Sequence, residues 1–438
     1  MNQTYSVLDV VKQDLCTGCG VCVSESKSTL KMGWDESGFL VPQSIGNSIS
    51  KDAIKVCPFN PSPDEVVQDE DKLGLIYFEN STNYDPKIGR FENTYVGYSN
   101  HYRDTSSSGG LATYIFKQLL EDKVVENLFI VKEVNDSYEY QMFNNINDIL
   151  KISKTRYIPV TLEELFLQID KVEGKIAVSG VACFIKAIRL KQHYNPNLKE
   201  KIPFLVGIIC GGLKSKFYSD YLAQKSGIFS SYSNQEYRIK DSKNSATDYS
   251  FGANDNLGQF HQIKMQKVGD MWGTGLFKSN ACDFCTDVLT ELADISLGDA
   301  WLDEYREDGL GNSVIVTRSM VADKLIRNGI QQGVLSVELI DKNKIISSQS
   351  PSFSHRQEGI KLRLLFRKIK GQQVPFVRKR VLKFSNITYS LVQIQRQRTR
   401  SKSLKIWKRF SNCKSFDLKI KSDLRLLALL TKIYHKLR

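Results

Sequence analysis

From residue 94 onward, short apolar runs alternate with stretches whose apolar residues recur at helical spacing. Residues 94–99 have the composition of a strand. Leu111–Glu121 repeats its apolar side chains every three to four positions, which predicts a helix with one buried face. The alternation continues through 124–131, 161–170, 175–179, 182–193, 204–209 and 216–226, and strand-rich segments follow at 236–240, 248–251 and 259–266. Strands interleaved with helices predict an α/β fold with a mixed, partly parallel sheet, α+β when the flanking segments are included. Residues 60–91, with Pro61, Pro63, Pro86 and the acidic run Asp69-Glu-Asp71, read as a loop-rich linker. Beyond residue 360 cations mix with apolar residues in 361–370, 403–410 and 423–438, which predicts a basic helical tail. The chain thus divides into an N-terminal module (1–60), a linker (61–92), a central domain (93–355) and the tail (356–438).

Composition narrows this only slightly. With 438 residues, 41% hydrophobic and 25% charged, the chain has the profile of a globular protein of two or three units. The net charge of +13 is more informative because it is unevenly spread. Residues 1–360 sum to −8 and residues 361–438 to +21, with Asp417 and Asp423 the only acids among the latter. An anionic membrane surface or an acidic partner is the first expectation for such a tail. Helices packing on the acidic body are the alternative, and no base-reading module supports nucleic acid. The longest apolar stretches, 204–210 and 424–430, fall well short of the roughly 20 residues a bilayer needs. Together with a start, Met-Asn-Gln-Thr, that has no signal-peptide features, this predicts a cytoplasmic chain with reduced thiols, peripheral at the inner membrane face where the tail meets a membrane.

Those thiols carry the candidate chemistry. Cys16-Thr-Gly-Cys19-Gly-Val-Cys22, with the remote Cys57-Pro58, has the spacing of a ferredoxin-like 4Fe-4S site, because two-residue gaps let successive thiolates reach different irons. Position 26, where a two-cluster pattern would place a further cysteine, is Ser26, so this segment is expected to hold one cluster. A structural zinc site is the alternative. Cys282-Asp-Phe-Cys285 is ambiguous alone. Cys183 and Cys210 follow apolar strands at 175–179 and 204–209, where α/β sites assemble, and the four make a plausible second set. The competing reading of Cys183 and Cys210 is as small buried hydrophobes, and Cys413 reads as a bystander.

Ser106-Ser-Ser-Gly-Gly110 before Leu111–Glu121 places hydroxyls, glycines and free amides at a helix N-terminus, which suits a nucleotide phosphate, although a plain serine cap explains it too. Asp294 and Asp299 lack histidine partners and read as backbone-orienting acids. Five scattered histidines give little support to histidine-centred hydrolysis.

In order along the chain, Cys16-x-x-Cys19-x-x-Cys22 with Cys57-Pro58, Ser107-Ser-Gly-Gly110, Ser153-Lys-Thr-Arg-Tyr157, Gly180-Val-Ala-Cys183, Cys210-Gly-Gly212, Cys282-x-x-Cys285 and Ala293-Asp-Ile-Ser-Leu-Gly-Asp-Ala-Trp301 resemble the coenzyme F-420 hydrogenase/dehydrogenase beta subunit family, related to 7-hydroxymethyl chlorophyll a reductase. The resemblance implies an FAD and iron-sulfur oxidoreductase whose central domain binds flavin. Two 4Fe-4S clusters would sit on Cys16, Cys19, Cys22 and Cys57 and on Cys183, Cys210, Cys282 and Cys285. Ser107, Ser108, Gly109 and Gly110 would lie at the FAD diphosphate, with Ser153, Lys154 and Tyr157 nearby. It also implies a redox carrier such as a ferredoxin or a deazaflavin coenzyme, an unidentified organic substrate, and an association with surface polysaccharide biosynthesis. Gly180-Val-Ala-Cys183 departs from the more typical Gly-Thr-Pro-Cys, and the basic tail has no counterpart in the matched core. A non-catalytic electron-transfer subunit and a zinc-stabilised binding protein remain as alternatives. Lys154, Tyr157, Lys278 and Asp299 are the candidate proton donors.

Overall fold

A computed structural model describes residues 5–134, 137–152 and 154–437. Its centre is an eight-stranded sheet in the order Leu335–Leu339, Asn93–Ser99, Ser313–Thr317, Ile295–Asp299, Phe204–Ile208, Ile176–Val181, Asn127–Val134, Ser137–Phe143. The four strands from Ile295–Asp299 to Asn127–Val134 are mutually parallel, and the outer pairings are antiparallel. The expected mixed α/β sheet is therefore present.

Alternation of side chains sorts the sheet into two cores. Phe129, Val178 and Leu205 face the helix Ala182–Tyr194 and the N-terminal module, where Val21 and Val23 join the same cluster. Leu128, Ala177, Phe204 and Val206 face the helices Leu111–Glu121 and Met320–Gln331. Apolar residues cover both faces, as buried parallel strands require.

The segment read as a linker is more ordered than its prolines suggest. Asp69 caps the helix Glu70–Tyr77, accepting from the Lys72 amide at 3.0 Å, with Glu70 and Asp71 in its first turn. The acidic run is thus a helix start, where carboxylates meet the positive end of the dipole.

The tail folds back on the body, the reading set beside a surface partner for it. Arg363, Arg367, Arg378 and Arg400 are buried. Arg378 grips Glu291 through two hydrogen bonds of 2.7 and 2.8 Å and also pairs with Glu70 and Asp71. Opposite charge on body and tail is therefore satisfied in part within the molecule. Ile387–Phe410 and Cys413–Lys436 form an antiparallel hairpin. Trp407, Phe416 and Ile420 of the hairpin pack with Tyr221 and Phe277 of the body, and Cys413 is buried in that cluster, remote in role from the other eight cysteines.

Candidate functional site

Parallel strands deliver two of the cysteines. Ile176–Val181 runs directly into the helix Ala182–Tyr194, which puts Cys183 in the first helical turn, and Cys210 lies just past Phe204–Ile208. Both leave the carboxyl edge of neighbouring strands, where open α/β sheets build sites. The short helical turn Asn280–Asp283 brings Cys282 to the same edge. Burial raises the Cys183 thiol, and Cys285, Cys282 and Cys210 beside it raise it further. The Gly212 amide donates to Cys210 Sγ at 3.2 Å and the Leu213 amide to Cys282 Sγ at 3.1 Å.

The other four cysteines gather in the N-terminal module. Gly18 and Gly20 both adopt left-handed φ, at 74° and 78°. A Cβ on Gly18 would stand 2.6 Å from the Leu40 carbonyl oxygen, and one on Gly20 would strike the Thr161 hydroxyl, so the Cys16–Cys22 loop needs both glycines. The Gly18 amide donates to Cys16 Sγ at 3.4 Å. Burial and the neighbouring Cys19, Cys16 and Cys57 push Cys22 well up, and burial pushes Cys57 up to about 12. Such thiols stay protonated until a metal displaces the proton.

The first set borders open space: Cys16, Cys19, Cys22 and Cys57 all line one opening. A neighbouring opening is lined by Cys183 and Cys285 of the second set with Glu70, Lys186 and Asp287, and Pro58 and Phe59 line both. Among the described residues no group of three or more His, Cys, Asp or Glu side chains is arranged to hold a single metal ion.

The two sets differ in electrostatics. Arg356 stands at the second, with Nη1 3.4 Å from Cys285 Sγ and its guanidinium donating to the carbonyls of Cys210 and Asp287. It sits in a π-helical turn, Ser354–Glu358, which turns the adjacent His355 inward as well. Lys278 Nζ lies 2.7 Å from Asp283 and 2.8 Å from His355 Nε2. Burial, with Lys278 next, holds His355 well below its usual range, and its Nδ1 lies 3.0 Å from Gln393 Oε1 and 3.3 Å from Arg396. Lys214, buried and close to Lys278, falls to about 7 and donates to the Met271 and Leu276 carbonyls. The first set has Asp35 in the field of Cys16, and Lys186 acts on Cys57.

The Ser107–Gly110 segment lies elsewhere on the sheet edge. Ser107 Oγ accepts from the Thr155 amide at 2.9 Å, which joins the two segments expected to be neighbours. Ser108 Oγ donates to the Asn312 carbonyl at 3.1 Å, and the Gly109 amide to Ser313 Oγ at 3.2 Å. Gly110, at φ 77°, starts Leu111–Glu121 without a side-chain cap, and Lys240 Nζ reaches the Ser108 and Leu310 carbonyls at 3.1 and 3.0 Å. An uncapped helix start with a cation beside it fits a phosphate group. Ser153 lies outside the described residues. Lys154 is an exposed partner of Glu236 at 2.5 Å. Tyr157 is deep in a ring cluster with Tyr218, Tyr237 and Trp272, its centroid 4.8 Å from that of Trp272. Asp294 pairs with Arg189 and accepts from the Leu205 amide at 2.9 Å, whereas the Asp299 carboxylate pairs with the Arg238 guanidinium rather than orienting backbone. Lys214, Lys240, Arg356 and His355 were not singled out by any local pattern. Their positions depend on long-range packing.

Residues 94–166 match the coenzyme F420 hydrogenase/dehydrogenase beta subunit N-terminal family, and residues 173–343 match the corresponding C-terminal family. The sequence is 22% identical over 284 residues to the coenzyme F420 hydrogenase subunit beta of Methanosarcina barkeri, covering 58% of this chain and 88% of that protein. It is 21% identical over 357 residues to the coenzyme F420-dependent sulfite reductase of Methanocaldococcus jannaschii, covering 77% of this chain but only half of that longer protein. A chain of the solved F420-reducing NiFe hydrogenase complex from Methanosarcina barkeri shares the fold, with TM-score 0.51 and 19% identity over 67% of this chain and 99% of that one. The matched spans hold the central sheet and the cysteines 183, 210, 282 and 285, and the chain belongs to the coenzyme F420 hydrogenase/dehydrogenase beta subunit family.

Proposed function

We propose that this protein is an iron-sulfur flavoprotein oxidoreductase that exchanges electrons with a ferredoxin or a deazaflavin carrier and acts on an organic substrate. The observation that carries the reading is the gathering of eight cysteines into two neighbouring sets of four, with Pro58 and Phe59 between the openings at Cys16–Cys57 and at Cys183 and Cys285. Two 4Fe-4S clusters would supply one-electron transfer, and FAD would couple it to two-electron chemistry. Cys16, Cys19, Cys22 and Cys57 would hold the outer cluster, and Cys183, Cys210, Cys282 and Cys285 the inner one. The helix start at Gly110, with Lys240 beside it, would receive the FAD diphosphate. The names of the relatives, a hydrogenase subunit and a sulfite reductase, support redox work and a deazaflavin carrier.

The charges around the sets support a direction. Arg356 and Lys278 favour added negative charge at the inner set, against Asp287 and Glu70 beside Cys285, whereas Asp35 disfavours it at the outer one. The N-terminal module is thus the inlet and the inner set the more favourable place for an added electron.

Anaerobic purification followed by iron, sulfide and flavin analysis tests the reading. About eight irons and one FAD per chain are expected. Stoichiometric zinc without flavin overturns it.

A further inference from the structure

Five arginines of the tail are turned inward. Arg356, Arg363, Arg367, Arg378 and Arg400 are buried, and they donate to carboxylates, carbonyls and a thiol of the body. The exposed cations of the last helix, Cys413–Lys436, are mostly lysines: Lys414, Lys419, Lys421, Lys432 and Lys436, with Arg425. Its two acids are occupied, Asp417 by Lys225 and Tyr221, and Asp423 by Lys402 and Arg398.

Between these lysines the helix exposes a strip of apolar residues. Leu426, Leu429, Ile433 and Leu437 recur at three- and four-residue steps, which sets them on one face, and Leu418, 75% exposed, lies two turns earlier on that face. The preceding helix, Ile387–Phe410, does the same with Ile387, Leu391 and Ile394, and Ile387 is 81% exposed. The stacking of Tyr389 on Tyr434, 4.8 Å between centroids, brings these two ends together. Inside the pair, Tyr389, Val392, Leu427 and Tyr434 form a small core of their own. The outer leucines and isoleucines are therefore not needed to hold the hairpin. They are also outside residues 94–343, the span matched by the family, so they belong to a surface this chain adds to the shared core.

We propose that the outward face of the C-terminal hairpin is an interfacial membrane-binding surface that takes an anionic lipid bilayer. Apolar side chains on a helix with a lysine rim enter the boundary between headgroups and acyl chains, while flexible lysine stems reach the lipid phosphates. Lysine, a hydrated point charge, suits a fluid layer of headgroups. The planar fork of arginine suits fixed carboxylates, and in this tail it is used for them. No helix among the described residues is long and apolar enough to cross a membrane, so the contact is interfacial.

The full-length protein, purified anaerobically, is tested by flotation with vesicles of phosphatidylcholine alone or with one third phosphatidylglycerol. Binding is expected to the phosphatidylglycerol vesicles, to weaken with salt, and to fall roughly tenfold or more in a Leu426→Gln, Leu429→Gln, Ile433→Gln variant. The melting temperature should be unchanged, because all three side chains are exposed. If that variant fails to fold, Lys432→Glu with Lys436→Glu provides the same reading through charge, with a loss of at least about tenfold. Absence of binding to phosphatidylglycerol vesicles, equal binding to phosphatidylcholine, or wild-type binding by the variants overturns the proposal. So does capture of the hairpin face by an acidic polypeptide that leaves vesicle binding absent.

Discussion

Arg356 Nη1 lies 3.4 Å from Cys285 Sγ, a contact made across 71 residues of sequence by a side chain from outside the family-matched span. The same guanidinium donates to the carbonyl of Cys210, so one cation faces two of the four inner cysteines. A negatively charged centre buried there requires compensation, and the basic tail supplies it.

Removing that charge should therefore disfavour the reduced state of the inner centre. Arg356→Gln is expected to lower one of two midpoint potentials by on the order of 60 mV, a decade in equilibrium constant for one electron, and to leave the other unchanged. Arg356→Lys should shift it less. A redox titration followed by electron paramagnetic resonance measures both.

The cysteine sets should be separable. Cys57→Ala is expected to remove about four of about eight irons and leave the inner centre's signal, and Cys183→Ala the reverse. Iron analysis and low-temperature spectra check the assignment. Loss of iron on substituting Cys413 would contradict it.

Arg378 is fully buried between Glu291, Glu70 and Asp71. Arg378→Met leaves these carboxylates without their cation, and a loss of about 3–5 kcal/mol is expected from urea denaturation. Arg380→Met, at the edge of the same network and partly exposed, should cost less.

Burial opposes ionisation of Glu70, yet Lys186 and Arg378 hold its carboxyl down at about 2. Its folded value is thus below that of the unfolded chain, near 4.3. The folded state binds fewer protons there, so this stabilisation is fully present above about 4.3 and is lost as pH falls towards 2. Urea midpoints across that window should fall with acid, and the Glu70→Gln variant should show a shallower decline.

Lys240 touches the Ser108 and Leu310 carbonyls beneath the proposed phosphate site. Lys240→Ala is expected to lower the FAD retained per chain severalfold on desalting, with iron content unchanged. Flavin absorbance against iron measures this. Unchanged flavin would move the diphosphate elsewhere.

Much of the fold was legible locally. The helix at Leu111–Glu121 lies within its expected bounds, and Ile176–Val181, Ala182–Tyr194 and Phe204–Ile208 differ from expectation by only a residue or two. Apolar periodicity is a short-range signal, and these elements obey it. The hairpin strand Ser137–Phe143 and the edge strand Leu335–Leu339 went unnoticed because half of their positions are polar or half-buried. The linker helix Glu70–Tyr77 was hidden because an acidic run looks the same in a loop and at a helix start.

The sequence by itself determined the thiol spacing of Cys16–Cys22, whereas Cys282–Cys285 is ambiguous alone and only the tertiary structure brings it to Cys183 and Cys210. The sequence also determined that charge is divided between body and tail. Only the tertiary structure decided what that charge does. A guanidinium's effect depends on its distance and on the solvent excluded around it, and neither is encoded within a few residues. Folding took Arg356, Arg363, Arg378 and Arg400 of the tail into the acidic body beside Cys285, Asp283 and Glu291, and left the lysines and outer leucines of the last helix on the surface.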